Sequence, residues 1–167
     1  EFGRGVRVLA GESDLRVVGP ASGFDDALYE QILQHPEISH AAPIVEVEAK
    51  LAGHEQSLRV LGIDIFTLAH VAPRLLPLSE DKSNRFATLA EDSIFLSEAA
   101  LRAYGVKISD ELLMQDGIRS LKLRIAGDLP GVADGQRLAV MDIAGAQTAF
   151  GRIGKLSLID LIVASTS

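Results

Sequence analysis

The stretch APIVEVEAKLAGHEQSLRVLGI, Ala42 to Ile63, alternates apolar and polar residues and turns once. Val45, Val47, Ala49 and Leu51 share one side and Glu46, Glu48 and Lys50 the other, the period of two expected of a half-buried strand. Gly53 marks the turn into a second apolar run, Leu58 to Ile63, so the segment reads as a β-hairpin.

Outward from this hairpin, helices and further strands alternate. Upstream, DLRVVG at 14 to 19 puts Leu15 and Val17 on one face of a strand closed by Gly19 and Pro20. A helix follows. Asp25 caps it, Phe24 staples its first turn, and Leu28, Tyr29, Ile32 and Leu33 form its apolar stripe until Pro36. Downstream, Asp64 to Ala72 reads as an apolar loop and Pro73 to Asp92, with little periodicity, as a surface insertion.

Order resumes with the strand IFL at 94 to 96. Ser97 caps a short helix carrying Ala100, Leu101 and Tyr104, which ends at Gly105. The runs 112 to 115 and 120 to 127 around Asp116 and Gly117 predict a second hairpin, with Leu121, Leu123 and Ile125 inward. Asp134 and Gly135 make a turn, LAVM at 138 to 141 is a buried strand, and Asp142 caps a helix bearing Ile143, Ala146 and Phe150 up to Gly151. Leu156 to Val163 is the closing strand. The order predicts an α+β fold with a mixed or antiparallel sheet and packed helices.

Composition narrows the function. The 167 residues include 47% hydrophobic ones, and mean hydropathy is +0.22. Yet the longest uncharged runs, Ile65 to Pro73 and Ile143 to Gly151, fall far short of the roughly 20 apolar residues of a membrane span. The sequence starts at Glu1 without a signal pattern and stops just after an apolar run, as an excised segment would. The absence of cysteine excludes disulfides, thiolate metal sites and cysteine nucleophiles. Net charge is -7, and residues 1 to 70 carry most of it, 5 basic against 11 acidic. Nucleic acid is therefore not an expected partner. Arg119, Lys122 and Arg124 alternate with apolar residues as a strand's wet face does, without the clustering that phosphate binding needs.

No catalytic motif stands out, and no catalytic, cofactor-binding or metal residue is assigned. Gly154 and Lys155 lack the phosphate-loop context, because Ala149 and Leu156 occupy the places of the required glycine and hydroxyl residue. No nucleophile elbow or dinucleotide turn is present. His35, His40, His54 and His70 are spread over what read as loops and helix ends, and His54-Glu55 lacks the second histidine of a zinc helix. Glu46 and Glu48 share a strand face with Lys50, the pattern of a solvated row rather than an acid-base pair. Asp142 is explained as a cap. Asp160, set among Leu158, Ile159, Leu161 and Ile162, reads as a carboxylate at a strand edge bonded to backbone or to an arginine.

Three stretches in order resemble the extracytoplasmic domain of MacB/FtsX-type ABC transporter permeases. They are DDALYEQILQHPEISHAAPIVEVEAKLAGHEQSLRVLGID (25 to 64), IFLSEAALRAYGVKISDELLM (94 to 114) and LAVMDIAGAQTAFGRIGKLSLIDLIV (138 to 163). Together they cover about half of the chain. Ser109 departs from the pattern, which has glycine before the position of Asp110, and nothing matches over Pro73 to Asp92.

The resemblance implies a single extracytoplasmic domain spanning 1-167, inserted between two membrane helices with both ends entering from the same side. A porter-like lobe, 13-66 plus 137-163, would carry an inserted strand-rich lobe, 67-136. It implies a non-catalytic domain of an inner-membrane permease that couples ATP-driven motion to export or release of a lipoprotein, peptide or drug. The ATPase would be a separate cytoplasmic subunit. Further partners would be a second permease copy or paralogue and a periplasmic adaptor or lipoprotein, with no cofactor. The alternative is a ligand-sensing or adaptor domain of another membrane protein, which needs only one neighbouring span. A cytoplasmic enzyme would instead require a deep pocket with converging polar groups.

Overall fold

The computed structural model describes residues 2–3, 14–79, 92–116 and 119–164. Its elements in chain order are β1 (Phe2–Gly3), β2 (Leu15–Val18), β3 (Phe24–Asp25), α1 (Ala27–Leu33), β4 (Ile38–Leu51), β5 (Ser57–Ile63) and α2 (Ile65–Val71). A 3-10 turn at Pro73–Leu75 leads to β6 (Leu78–Ser79), β7 (Ser93–Leu96), α3 (Glu98–Tyr104), β8 (Glu111–Asp116) and β9 (Arg119–Asp128). Last come β10 (Leu138–Asp142), α4 (Ile143–Ala149), β11 (Lys155–Leu156) and β12 (Leu158–Val163). The α+β class with a mixed sheet is as expected.

β4 organises the molecule. Its first half pairs antiparallel with β12, its second half with β5, and its last two residues, Lys50 and Leu51, with β8. From β5 the sheet continues in parallel to β10, antiparallel to β7, in parallel to β9 and antiparallel back to β8. The circuit β4-β5-β10-β7-β9-β8 thus closes on itself, and β12, β2 and β1 extend outward from β4. Strands from 67–136 and from the rest of the chain share this circuit. A shorter sheet pairs β3 with β11.

Alternation on β4 feeds two cores. Val45, Val47, Ala49 and Leu51 join Leu58, Val60, Ile94, Met114, Ile125 and Met141 in the larger one, where α1, α3 and α4 contribute Ile32, Tyr104 and Ala146, and Phe150 joins from just past the end of α4. Ile44 faces the other way and meets Leu61, Ile63, Phe95 and Val140 beneath Leu68 of α2 and Leu75. Gly62 is required by this packing, because a Cβ there would lie 2.6 Å from Cβ of Ala146 on α4. Pro43 is tolerated inside β4 for a geometric reason. The Ile44 carbonyl accepts from Ser157 N–H on the β12 side, so the Pro43 nitrogen points the opposite way, past the end of β5, where no ladder bond is lost.

Several expectations are corrected. Asp64 to Ala72 is a helix, not a loop: the Asp64 side chain accepts from Phe66 N–H, and Ile65, Leu68 and Val71 are buried at helical spacing. The start of the expected surface insertion is packed, with Leu75 buried, while residues 80–91 lie outside the described residues. Asp26 holds the cap position of α1, and the Asp25 carboxylate accepts from Ala27 N–H. Leu33 is 49% exposed and is not part of the buried stripe. The closing strand is broken at Ser157, whose Oγ accepts from Glu46 N–H at 2.7 Å and replaces a ladder bond. Residues 117–118 of the second hairpin's turn lie outside the described residues, although β8 and β9 pair in register from Asp116 with Arg119.

Candidate functional site

The polar residues singled out above form no reaction centre among the described residues. Glu46 ion-pairs with Arg59 across the β4–β5 ladder at 3.1 Å, and Glu48 lies exposed on the same face. Lys155 is exposed on β11. His35 bonds Glu37 at 3.2 Å and His54 packs edge-on against Tyr104, with ring centroids 5.0 Å apart. His40 stands within β4 and His70 within α2, not in loops, and their rings stack. No group of three or more His, Cys, Asp or Glu side chains is placed to share an ion among the described residues.

Asp160 behaves differently from its reading as an edge residue. It lies on β12, between β2 and β4, and its side chain is fully buried. Arg16 of β2 stands directly opposite and grips it with two bonds, Nε to Oδ1 at 2.6 Å and Nη2 to Oδ2 at 3.1 Å. The fork of the guanidinium matches the two carboxylate oxygens, which makes the pair stronger and more directional than a single contact. An arginine is one of the two partners the sequence reading allows, whereas the interior position corrects the expected strand edge.

That pair ties β2, near the start of the chain, to β12, the last strand described. Asp14 N–H donates to the Leu161 carbonyl at 2.8 Å, and Val163 N–H donates to the Asp14 carboxylate at 3.0 Å. Strand β2 therefore starts beside the point where β12 ends.

Two open grooves lie among the described residues. One, of about 690 Å³, runs between α3 and the 134–137 turn past Glu98, Arg102, Asp134 and Arg137. The other, of about 410 Å³, lies along Val18, Pro20, Glu46, Glu48 and Arg152. Both are solvated and mixed in charge, without the enclosed apolar walls of a small-molecule site. No helix among the described residues is long and apolar enough to cross a membrane.

No protein-family profile and no curated protein sequence matches the chain. Solved structures do. The extracellular domain of the noncanonic ABC-type transporter YknZ from Gram-positive bacteria superimposes with a TM-score of 0.60 at 13% identity, over 89% of this chain and 76% of that one. The chain has the fold of ABC-transporter external domains. The periplasmic region of MacB from Actinobacillus actinomycetemcomitans gives a TM-score of 0.55 at 10% identity, over 90% of this chain and 68% of that one. The MacB-like fold expected from about Asp14 to Val163 is thus present, and the mixed sheet closed through β8 is its form here.

Proposed function

We propose that this chain is the extracytoplasmic domain of an ABC transporter permease that catalyses no reaction itself. It couples motion driven by a separate cytoplasmic ATPase to export or release of an amphiphilic substrate such as a lipoprotein, peptide or drug. The observation that carries this reading is the external-domain fold. In this reading 67-136 is an insertion into the unit formed by 13-66 and 137-163, and its strands complete the sheet. A second permease copy or paralogue and a periplasmic adaptor or lipoprotein are the further partners.

The test uses the full-length protein in its membrane. Because this chain contains no cysteine, a single Lys155→Cys replacement at an exposed site gives a clean label position, provided any cysteine outside the chain is replaced. A membrane-impermeant maleimide should label it without lysis of the inner membrane, and a span of about 20 apolar residues should flank the domain on each side. Labelling only after lysis, or a single flanking span, would reject the permease reading, and the single span would favour a sensing or adaptor domain. Removing residues 14–164 in the full-length protein should abolish ATP-dependent export while leaving the ATPase subunit bound.

A further inference from the structure

Past the end of β5, opposite Ile44, the leading half of β4 has β12 on one side and α2 against its face. His40 occupies this half of β4, and its ring stacks on that of His70 near the end of α2, with centroids 4.4 Å apart and planes 4° from parallel. Both side chains are exposed. Neither ring has a hydrogen-bond partner among the described residues, in contrast to His35, which is engaged by Glu37. Two imidazoles from separate elements are therefore held side by side with their nitrogens uncommitted. A neutral imidazole offers one lone pair of borderline softness, which suits zinc, nickel and copper better than the hard ions calcium and magnesium.

We propose that His40 and His70 together bind one divalent transition-metal ion of the zinc, nickel or copper class, clamping α2 to β4. The parallel stack is not yet a chelating geometry, but little separates the two. The terminal torsion of histidine is broad, so each exposed ring can swing about its Cβ–Cγ bond without backbone movement. One nitrogen from each ring must come within about 2.0–2.1 Å of the ion, which places the two nitrogens about 3.4 Å apart in a tetrahedral site. The 4.4 Å centroid separation is compatible with that spacing. With no third side chain in the group, water fills the remaining positions, and the ion exchanges readily. Because the two ligands sit on different elements, the ion favours the folded chain and raises its stability by mass action.

The decisive experiment is titration of the chain, freed of any affinity tag, with zinc chloride and nickel chloride by calorimetry, in parallel with thermal melts. A single saturating event that raises the melting temperature is expected, lost in His40→Ala and in His70→Ala but kept in His35→Ala and His54→Ala. Calcium and magnesium chloride should produce no such event. Circular dichroism of the exposed-site variants checks that they remain folded. Absence of saturable binding by the unaltered chain, or binding undiminished in either the His40 or the His70 variant, would overturn the assignment.

Discussion

The Arg16 guanidinium donates two hydrogen bonds to the buried Asp160 carboxylate, joining β2 to β12 across the register that sets them opposite each other. Asp160 is wholly inaccessible and Arg16 nearly so, so neither charge is solvated once its partner is gone. Arg16→Met should lower unfolding free energy by about 3 kcal/mol or more, because it strands a charge in the sheet. Replacing both residues, as Arg16→Met with Asp160→Leu, should recover much of that loss. Urea titrations of the single and double variants decide the matter: equal losses would show that the pair contributes shape rather than charge compensation.

The helix caps differ in what their side chains do. Asp142 accepts only from Gly145 N–H among the described contacts, so Asp142→Ala should cost about 1 kcal/mol. Ser97 is buried, and its hydroxyl accepts from both Ala100 and Leu138 N–H while donating to the Gln136 carbonyl at 2.7 Å. Alanine there leaves several buried groups unpaired and should cost roughly 2–3 kcal/mol. If melts rank the two variants in the opposite order, the hydroxyl's bridging role between α3 and β10 is wrong.

Ser109 carries φ +84, the one positive value among the described residues that are not glycine. The backbone conformation is fixed from outside, since Ser109 N–H donates to Ile125 O and Ile125 N–H to Asp110 O. Ser109→Gly should therefore raise stability by about 1 kcal/mol, the strain relieved outweighing the extra freedom of the unfolded chain. A lower denaturation midpoint for this variant would mean that the serine side chain contributes more than its backbone costs.

What could be read from the sequence follows the range of the interactions involved. The β4–β5 hairpin, the α3 and α4 caps and the inward side of β9 are local patterns, complete within a few residues, and they appear as read. Helix α2 is absent from the sequence reading although its signal is local: taking Asp64 to Ala72 as a loop hides both the Asp64 cap on Phe66 N–H and the helical spacing of Ile65, Leu68 and Val71. The insertion of β10 between β5 and β7, and the closure of β4 onto β8, depend on pairings between distant segments. Asp160 was legible as an oddity, but its partner stands 144 residues away, and only the β2–β12 register brings Arg16 opposite. The His40–His70 stack was invisible for a similar reason, since it needs both the true extent of β4 and the existence of α2.

Alkaline pH should weaken the fold through two tyrosines. Tyr29 donates its hydroxyl to the Ala41 carbonyl at 3.0 Å, and burial raises its pKa above the ordinary phenol value, with the negative charge of Asp64 pushing the same way. Burial also raises that of Tyr104, against the opposing pull of Arg137. In the unfolded chain both ionise near pH 10, at about the ordinary phenol value. The folded state holds these protons more tightly, so the stability they contribute is fully present below about pH 10 and is lost as pH rises through the folded values. Urea midpoints should fall above that pH, and less steeply for Tyr29→Phe, which has no phenol to ionise. At neutral pH the same variant should lose about 1 kcal/mol with the Ala41 hydrogen bond. An alkaline slope unchanged in the Tyr29→Phe, Tyr104→Phe double variant would assign the effect to other groups, because lysines titrate in the same range and remain in both chains.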